Sequence, residues 1–276
     1  MNKLFGIASV LWLLMNLISC TQNPKQEENV ATELPKIDSS KIGKPVIEEK
    51  LIMTSFNTFW AYYTANIKFF EDFVPFDTTG IIINKGDFLK ILTTGEYYPL
   101  LINSKDSLIN YKLAKIPAKG PENAGAYIRQ DSRSALIHYE MEGKPIPAFD
   151  FSDVDGKHYS SANTKGKIVL FKCWFIRCGA CILEMPALNK IVQKYKDRDD
   201  ILFISLAMDS KKPLQEFLKK TQFDYATVPN QEQYMIEQLK VPSYPHHFLI
   251  NKQGLLVKAT GEATDVEMLL ERELKK

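Results

Sequence analysis

Two cysteines separated by a glycine and an alanine, Cys178-Gly179-Ala180-Cys181, are the residues of this chain whose types and spacing best suit chemistry. A Cys-x-x-Cys pair can alternate between dithiol and disulfide. The attacking species in such exchange is a thiolate, whereas a free thiol with a pKa of about 8.5 is mostly protonated at neutral pH. At the start of a helix, unsatisfied backbone N–H groups and the macrodipole stabilise a negative sulfur. That makes Cys178, at the exposed end, the nucleophile and Cys181, one turn deeper, the resolving thiol. Arg177 directly precedes the nucleophile, and its cation favours the thiolate further. Half of a zinc site is the other reading, but no second cysteine pair and no paired histidines at ligand spacing complete it. The sequence therefore implies neither a metal nor a cofactor.

Such a pair needs a strand to deliver it and a helix that begins on it. Residues 168–174 form a short apolar run rich in β-branched and aromatic side chains, the pattern of a buried strand. After Cys178, apolar Ile182, Met185, Leu188, Ile191 and Val192 recur at helical spacing. Pro186 should kink that helix rather than end it, because the apolar pattern continues beyond. Residues 201–207 read as a second buried strand, followed by a helix with Pro213 near its start, and 226–228 are short and extended. Asn230 with Gln233 reads as a capping pair for a helix to about residue 239, and Thr264 with Glu267 as caps for a last helix over 265–274. Between them, 246–250 and 255–258 form a hairpin. Upstream, 145–151 and Asp155-Gly156-Lys157 read as a strand, a tight turn and a return strand.

A chain of 276 residues, 45% of them hydrophobic, is long enough for one full domain and a smaller one. Its net charge of +2 gives no support for a nucleic-acid partner, which would want a clustered basic face. Residues 1–19 read as a signal peptide: Lys3 supplies a positive start, and 4–14 is an apolar stretch too short to span a bilayer comfortably. Residues 20–50, polar and of mixed charge, read as a flexible tether. Residues 51–141 read as a small α+β extension without chemistry of its own. In it Phe56, Phe59, Trp60, Tyr63, Ile67 and Phe70 mark a helix over about 54–72, more a core stripe than a cofactor box. Residues 81–83, 97–102 and 107–113 read as short strands, 119–123 as a loop, and 132–140 as either helix or strand. Residues 142–276 form the second domain.

Two families are resembled. Leu17-Ile18-Ser19-Cys20 resembles the lipobox of bacterial lipoproteins, which implies cleavage before Cys20 and acylation of it. An ordinary secretory signal or an uncleaved anchor is the alternative. From 143 to 276 the chain resembles thioredoxin folds of the TlpA type, on Pro147-Ala148-Phe149, Asp155-Gly156-Lys157, Lys165-Gly166-Lys167, the cysteine motif with Glu184-Met185-Pro186, and Tyr244-Pro245-His246-His247-Phe248-Leu249-Ile250. The resemblance implies an α/β protein: a central mixed sheet flanked by helices, with an extra N-terminal β-hairpin, here preceded by the extension. It also implies a redox disulfide between Cys178 and Cys181 and a cis Pro245 facing it, with Tyr244 offering backbone to an incoming thiol or peptide. Without the resemblance, a trans proline starting an edge strand would be favoured. Glu184 matches an acid that relatives keep near the thiols, or else it is a solvated helix carboxylate.

This sequence departs from the pattern in having Arg177 for the usual tryptophan, Ala180 for a frequent proline, and Lys172 where relatives place a buried acid or an asparagine. Lys172 either lies beneath the pair, favouring the thiolate of Cys181, or snorkels to solvent. Cys173 reads as a buried, inert thiol. His246 and His247 alternate in direction, so one of them approaches the site or both are structural.

The resemblances together imply a lipid-anchored thiol–disulfide oxidoreductase on the periplasmic side of a bacterial membrane. It would reduce disulfides of client proteins with electrons from a membrane thiol donor, and tethering would raise its concentration at membrane partners. A thiol peroxidase is a second reading, since peroxiredoxins share the fold, but the proline and threonine of their Pro-x-x-x-Thr-x-x-Cys context are missing. A third is a partner-binding envelope lipoprotein whose aromatic extension recruits and whose redox site is secondary.

Overall fold

The computed structural model describes residues 43–104 and 108–276. The expected signal segment, Cys20 and the tether up to residue 42 lie outside the described residues. The chain first builds α1 (Glu49–Ile52), α2 (Phe56–Asn66), β1 (Phe73–Phe76), α3 (Lys85–Leu92), β2 (Tyr97–Ile102), β3 (Ile109–Lys115) and α4 (Ala124–Met141). Their three strands pair in the order β1-β3-β2, with β3 parallel to β1 and antiparallel to β2. Phe59, Tyr62, Tyr63, Phe88, Leu89 and Tyr111 fill the core between this sheet and its helices.

A hairpin of β4 (Asp150–Ser152) and β5 (His158–Ser160) opens the second part. It continues through β6 (Ile168–Trp174), α5 (Gly179–Leu183), α6 (Met185–Lys194), β7 (Ile201–Ala207), α7 (Lys211–Leu218), β8 (Ala226–Val228), a π-helix (Tyr234–Gln238), β9 (His246–Ile250), β10 (Leu256–Thr260) and α8 (Ala263–Leu274). The five-stranded order is β10-β9-β6-β7-β8, with β6, β7 and β8 parallel, β9 antiparallel to β6, and β10 antiparallel to β9 at the edge. This is the mixed sheet of a thioredoxin fold. Strand β6 is buried along its whole length, which is why its sequence is nearly continuous in apolar residues rather than alternating. Period-two alternation still divides it. Ile168, Leu170 and Trp174 join the core that holds both motif cysteines, α6 and α8, whereas Val169, Phe171 and Cys173 join Phe149 and Phe151 on the opposite face.

Several elements differ from their sequence reading, each through a contact distant in the chain. Residues 44–46, read as tether, fringe β2 instead: Val46 N donates to Leu101 O at 3.0 Å, and Asn103 N to Lys44 O at 2.9 Å. The helix read over 54–72 starts on a Ser55–Thr58 capping box and stops at Asn66, leaving Ile67 extended and Phe70 outside. Tyr111 of β3 ends it, its hydroxyl donating to Asn66 O at 2.7 Å and accepting from Lys68 N at 3.0 Å. Phe56 and Trp60 of the supposed core stripe are exposed and stacked on each other. Residues 81–83 make only a bridge at Ile82, and α3 follows, capped by Asn84, where the sequence suggested no helix. The ambiguous 132–140 is the end of the longer α4.

Pro186, lacking an amide hydrogen, interrupts its helix more fully than a kink, so that Glu184 closes α5 and opens α6. Asn230 caps nothing: it sits at φ 59°, its N–H given to Asp209 O, and the segment after it winds as a π-helix. Thr264 and Glu267 do not cap α8 either. Glu267 instead pairs with Lys194.

Polar contacts tie the two sheet layers, which lie in one compact unit. Lys68 meets Asp265 at 3.2 Å, and Lys258 meets both Asp72 and Glu142 at 2.7 Å. His138 of α4 is buried, with Nε2 3.1 Å from Leu239 O. Exposed ion pairs are worth only about 0–1 kcal/mol each. The half-buried Lys258–Glu142 pair and the His138 contact are therefore the stronger fasteners.

Candidate active site

Strand β6 ends at Trp174, and Phe175-Ile176-Arg177 turns the chain outward before Cys178. The turn is fixed from two sides: Cys178 N donates to Phe175 O at 3.0 Å, and Ile176 N donates to Asp209 Oδ2 at 2.7 Å. Asp209 follows β7 and was not singled out in the sequence. Its signal is an acid just past the carboxyl end of the strand beside β6, the end of parallel strands where sites are built.

Cys178 and Cys181 are joined in a disulfide with Cα atoms 5.2 Å apart. Cys178 keeps 7% of its surface exposed and Cys181 none, so an incoming sulfur can reach only the first. The Cys181 N–H points at Cys178 Sγ, 3.2 Å away. Because α5 is only five residues long before Glu184 interrupts it, this local amide, and not a long macrodipole, is the main helix contribution at the sulfur. Around the pair, Gly179 and Ala180 are exposed and Leu183 is 83% exposed, leaving an apolar rim open to a partner.

Beneath the disulfide lies a cluster of three ionisable side chains. Lys172 is wholly buried; it does not snorkel. Its strand position places it on the face of Leu170 and Trp174, and its Nζ donates to Cys181 O at 3.2 Å and to Glu184 Oε1. His247, cross-strand partner of Lys172, puts Nε2 3.2 Å from the same Glu184 oxygen. Glu184 is thus no solvated carboxylate, because the helix break at its own position turns it onto the sheet. Burial opposes its charge, but His247 and Lys172 outweigh burial and hold it below the usual carboxylate range. Burial pulls Lys172 down from the usual ammonium range against the restraining charge of Glu184, and burial pushes His247 toward its neutral form.

The Tyr244–Pro245 bond is cis, immediately before β9. Tyr244 sets its ring edge-on to Phe175 at 5.6 Å and packs against the core that contains both cysteines; its buried hydroxyl has no partner among the described residues. Arg177 is exposed and makes no ion pair among the described residues. Cys173 points to the far face, buried, and burial raises its pKa strongly. His246 faces that same side and stacks near His138 at 4.9 Å. The site therefore unites Cys178, Cys181, Glu184 and Tyr244 with Lys172 and His247, while His246 and Cys173 stay outside it. Among the described residues no group of histidine, cysteine and acidic side chains is placed to hold a metal.

The chain is similar to several known proteins. The model of the AhpC/TSA family matches residues 143–259. The thiol-disulfide oxidoreductase ResA of Bacillus thuringiensis subsp. konkukian is 30% identical over 135 residues, which is 49% of this chain and 77% of that protein. ResA of Bacillus cereus strain ZK is 29% identical over 127 residues, 46% of this chain and 73% of that one. Among solved structures, the thioredoxin domain of a thiol-disulfide oxidoreductase from Bacteroides vulgatus superposes with a TM-score of 0.43 at 24% identity, covering 48% of this chain and 96% of that one.

Proposed function

This chain belongs to the AhpC/TSA family and is a thiol–disulfide oxidoreductase, and we propose that it reduces disulfides of client proteins from a membrane tether. The observation that carries the reading is a Cys178–Cys181 disulfide with one sulfur reachable and the other buried over Lys172 and Glu184. In the reduced protein the Cys178 thiolate attacks one sulfur of a client disulfide. The client S–S bond breaks, its second sulfur leaves as a thiolate and takes a proton, and a mixed disulfide forms. Cys181 then loses its proton and attacks Cys178 Sγ, releasing the first client sulfur and forming the Cys178–Cys181 bond. Two electrons pass to the client, and a membrane thiol donor restores the dithiol.

The surrounding residues favour each step. The Cys181 amide and the Arg177 cation support the Cys178 thiolate. Buried Lys172 favours negative charge on Cys181, which otherwise would pay the full cost of ionising away from water. Tyr244, against the loop that carries Cys178, offers backbone to the client strand. Cys20 carries the lipid, and residues after it hold the redox site off the membrane on the periplasmic side.

Insulin reduction coupled to a thiol donor tests the activity, with wild type active and Cys178→Ser silent; equal turnover rejects the mechanism. The reduction potential of the pair tests its direction, since a strongly negative value fits a reductase and a high one an oxidant or isomerase. Loss of membrane association in Cys20→Ser tests the anchor; unchanged fractionation rejects it.

A further inference from the structure

Behind the cis-proline loop, on the side turned to the first sheet layer, lies a cavity of about 420 Å3 lined by α2, α4, the loop itself and the start of α8. His246 lines it, only 6% exposed, and neither of its ring nitrogens has a hydrogen-bond partner among the described residues. Four carboxylates line it as well. Two are answered by cations: Asp265 by Lys68 and Glu142 by Lys258. Two are not. Asp131 receives only the Tyr63 hydroxyl, at 2.7 Å, and Glu262 makes no ion pair among the described residues. Burial raises the pKa of both, and at Glu262 the negative charges of Asp265 and Glu184 add to it while the Lys68 ammonium, on the same cavity wall, offsets part of the rise.

An unpartnered neutral imidazole can accept one N–H, and two unanswered carboxyls call for positive charge. A guanidinium supplies a permanent charge and five donors in one plane, whereas an ammonium offers a single strongly hydrated point. The position is equally specific. Tyr244 rests on Phe175 of the redox loop and also forms part of the cavity wall, so a chain whose cystine lies at Cys178 passes this opening. We propose that the cavity receives an arginine side chain of the client, carried near the cystine that Cys178 attacks, and that the N-terminal layer exists in part to build its wall. The proposal rests on the client-reducing role of the site.

The test is binding by the full chain carrying Cys178→Ala, in which no covalent intermediate with Cys178 can form. The probes are fluorescent peptides with one internal disulfide and either arginine or neutral, isosteric citrulline beside it. The arginine peptide should bind about tenfold more tightly, in line with a desolvated charged contact. Glu262→Gln, at an exposed position tolerant of change, should remove most of that preference, as should Asp131→Asn, which keeps an acceptor for Tyr63. Equal affinities in the parent, or an intact preference in both variants, overturns the proposal. Reduction of 2-hydroxyethyl disulfide by wild type is the separate check on the redox role, and its failure would reject that role without altering what the binding experiment says of the cavity.

Discussion

On β9, His246 and His247 are neighbours in sequence yet serve opposite faces of the five-stranded sheet. His247 joins Lys172 and Glu184 beneath the disulfide, while His246 lies with His138 and Phe248 beside the cavity. Strand β6 divides in the same way, giving Lys172 to the redox face and Cys173 to the other. The contrast teaches that reactivity here is assigned by face. A thiol adjacent in the chain to the site is inert because the pleat turns it into an apolar core, and a lysine adjacent to that thiol is a site residue because the pleat turns it the other way.

The largest effect should separate the cysteines. Cys178→Ser is expected to reduce insulin reduction to background, whereas Cys173→Ser should leave it within about twofold, because a buried thiol behaves as a small apolar group. Comparable losses in both would erase the distinction between the faces.

Next comes the buried pair. Lys172→Met strands the Glu184 charge and should cost the oxidised protein about 3 kcal/mol of unfolding free energy in urea. Lys172→Met with Glu184→Leu should recover most of it, since no lone charge remains. The same single variant should raise the pKa of the Cys181 thiol, and unchanged thiol titrations would remove Lys172 from the redox machinery.

Acidification should weaken both faces. His138, His246 and His247 are three of the four histidines, and burial lowers the pKa of each below the ordinary value of 6.5. Below that pH the unfolded chain binds protons that the native one refuses, so stability falls as pH drops from about 7 toward 5, by up to about 1.4 kcal/mol per unit for each group. Glu184 adds a later loss: its depressed folded pKa gives stability that is present above the unfolded value of 4.5 and fades as pH falls toward the folded one. Denaturation midpoints from pH 8 to 4 measure this, and His246→Phe should flatten the upper part of the slope. A pH-independent midpoint between 7 and 5 would contradict neutral burial of the histidines. The smallest effect belongs to Arg177→Gln. At an exposed position it should slow alkylation of Cys178 at neutral pH by about twofold, less at high salt.

Much of the second sheet could be read from the chain because its signals are local. The run at 168–174, the hairpin turn at Asn251–Gly254 and the short strand at 226–228 each carry their own pattern. The first layer was harder to read. Its α2 is ended by the Tyr111 hydroxyl from a strand far along the chain, and α3 follows a stretch of isoleucines that mimics a strand. Glu184, Lys172 and the two histidines were visible as candidates, but no local feature chose between the readings of each.

Residue order alone set the dithiol motif at a strand–helix junction, with one sulfur a turn below the other, because that geometry spans only a few bonds and one helical turn. Pairing of β6 with β9 set His247 across from Lys172 beneath it, and packing of α4 near β9 set His138 beside His246 on the other face. Those contacts depend on which whole faces can be buried together, a choice that strands and helices far apart in the chain make jointly and that no single segment records.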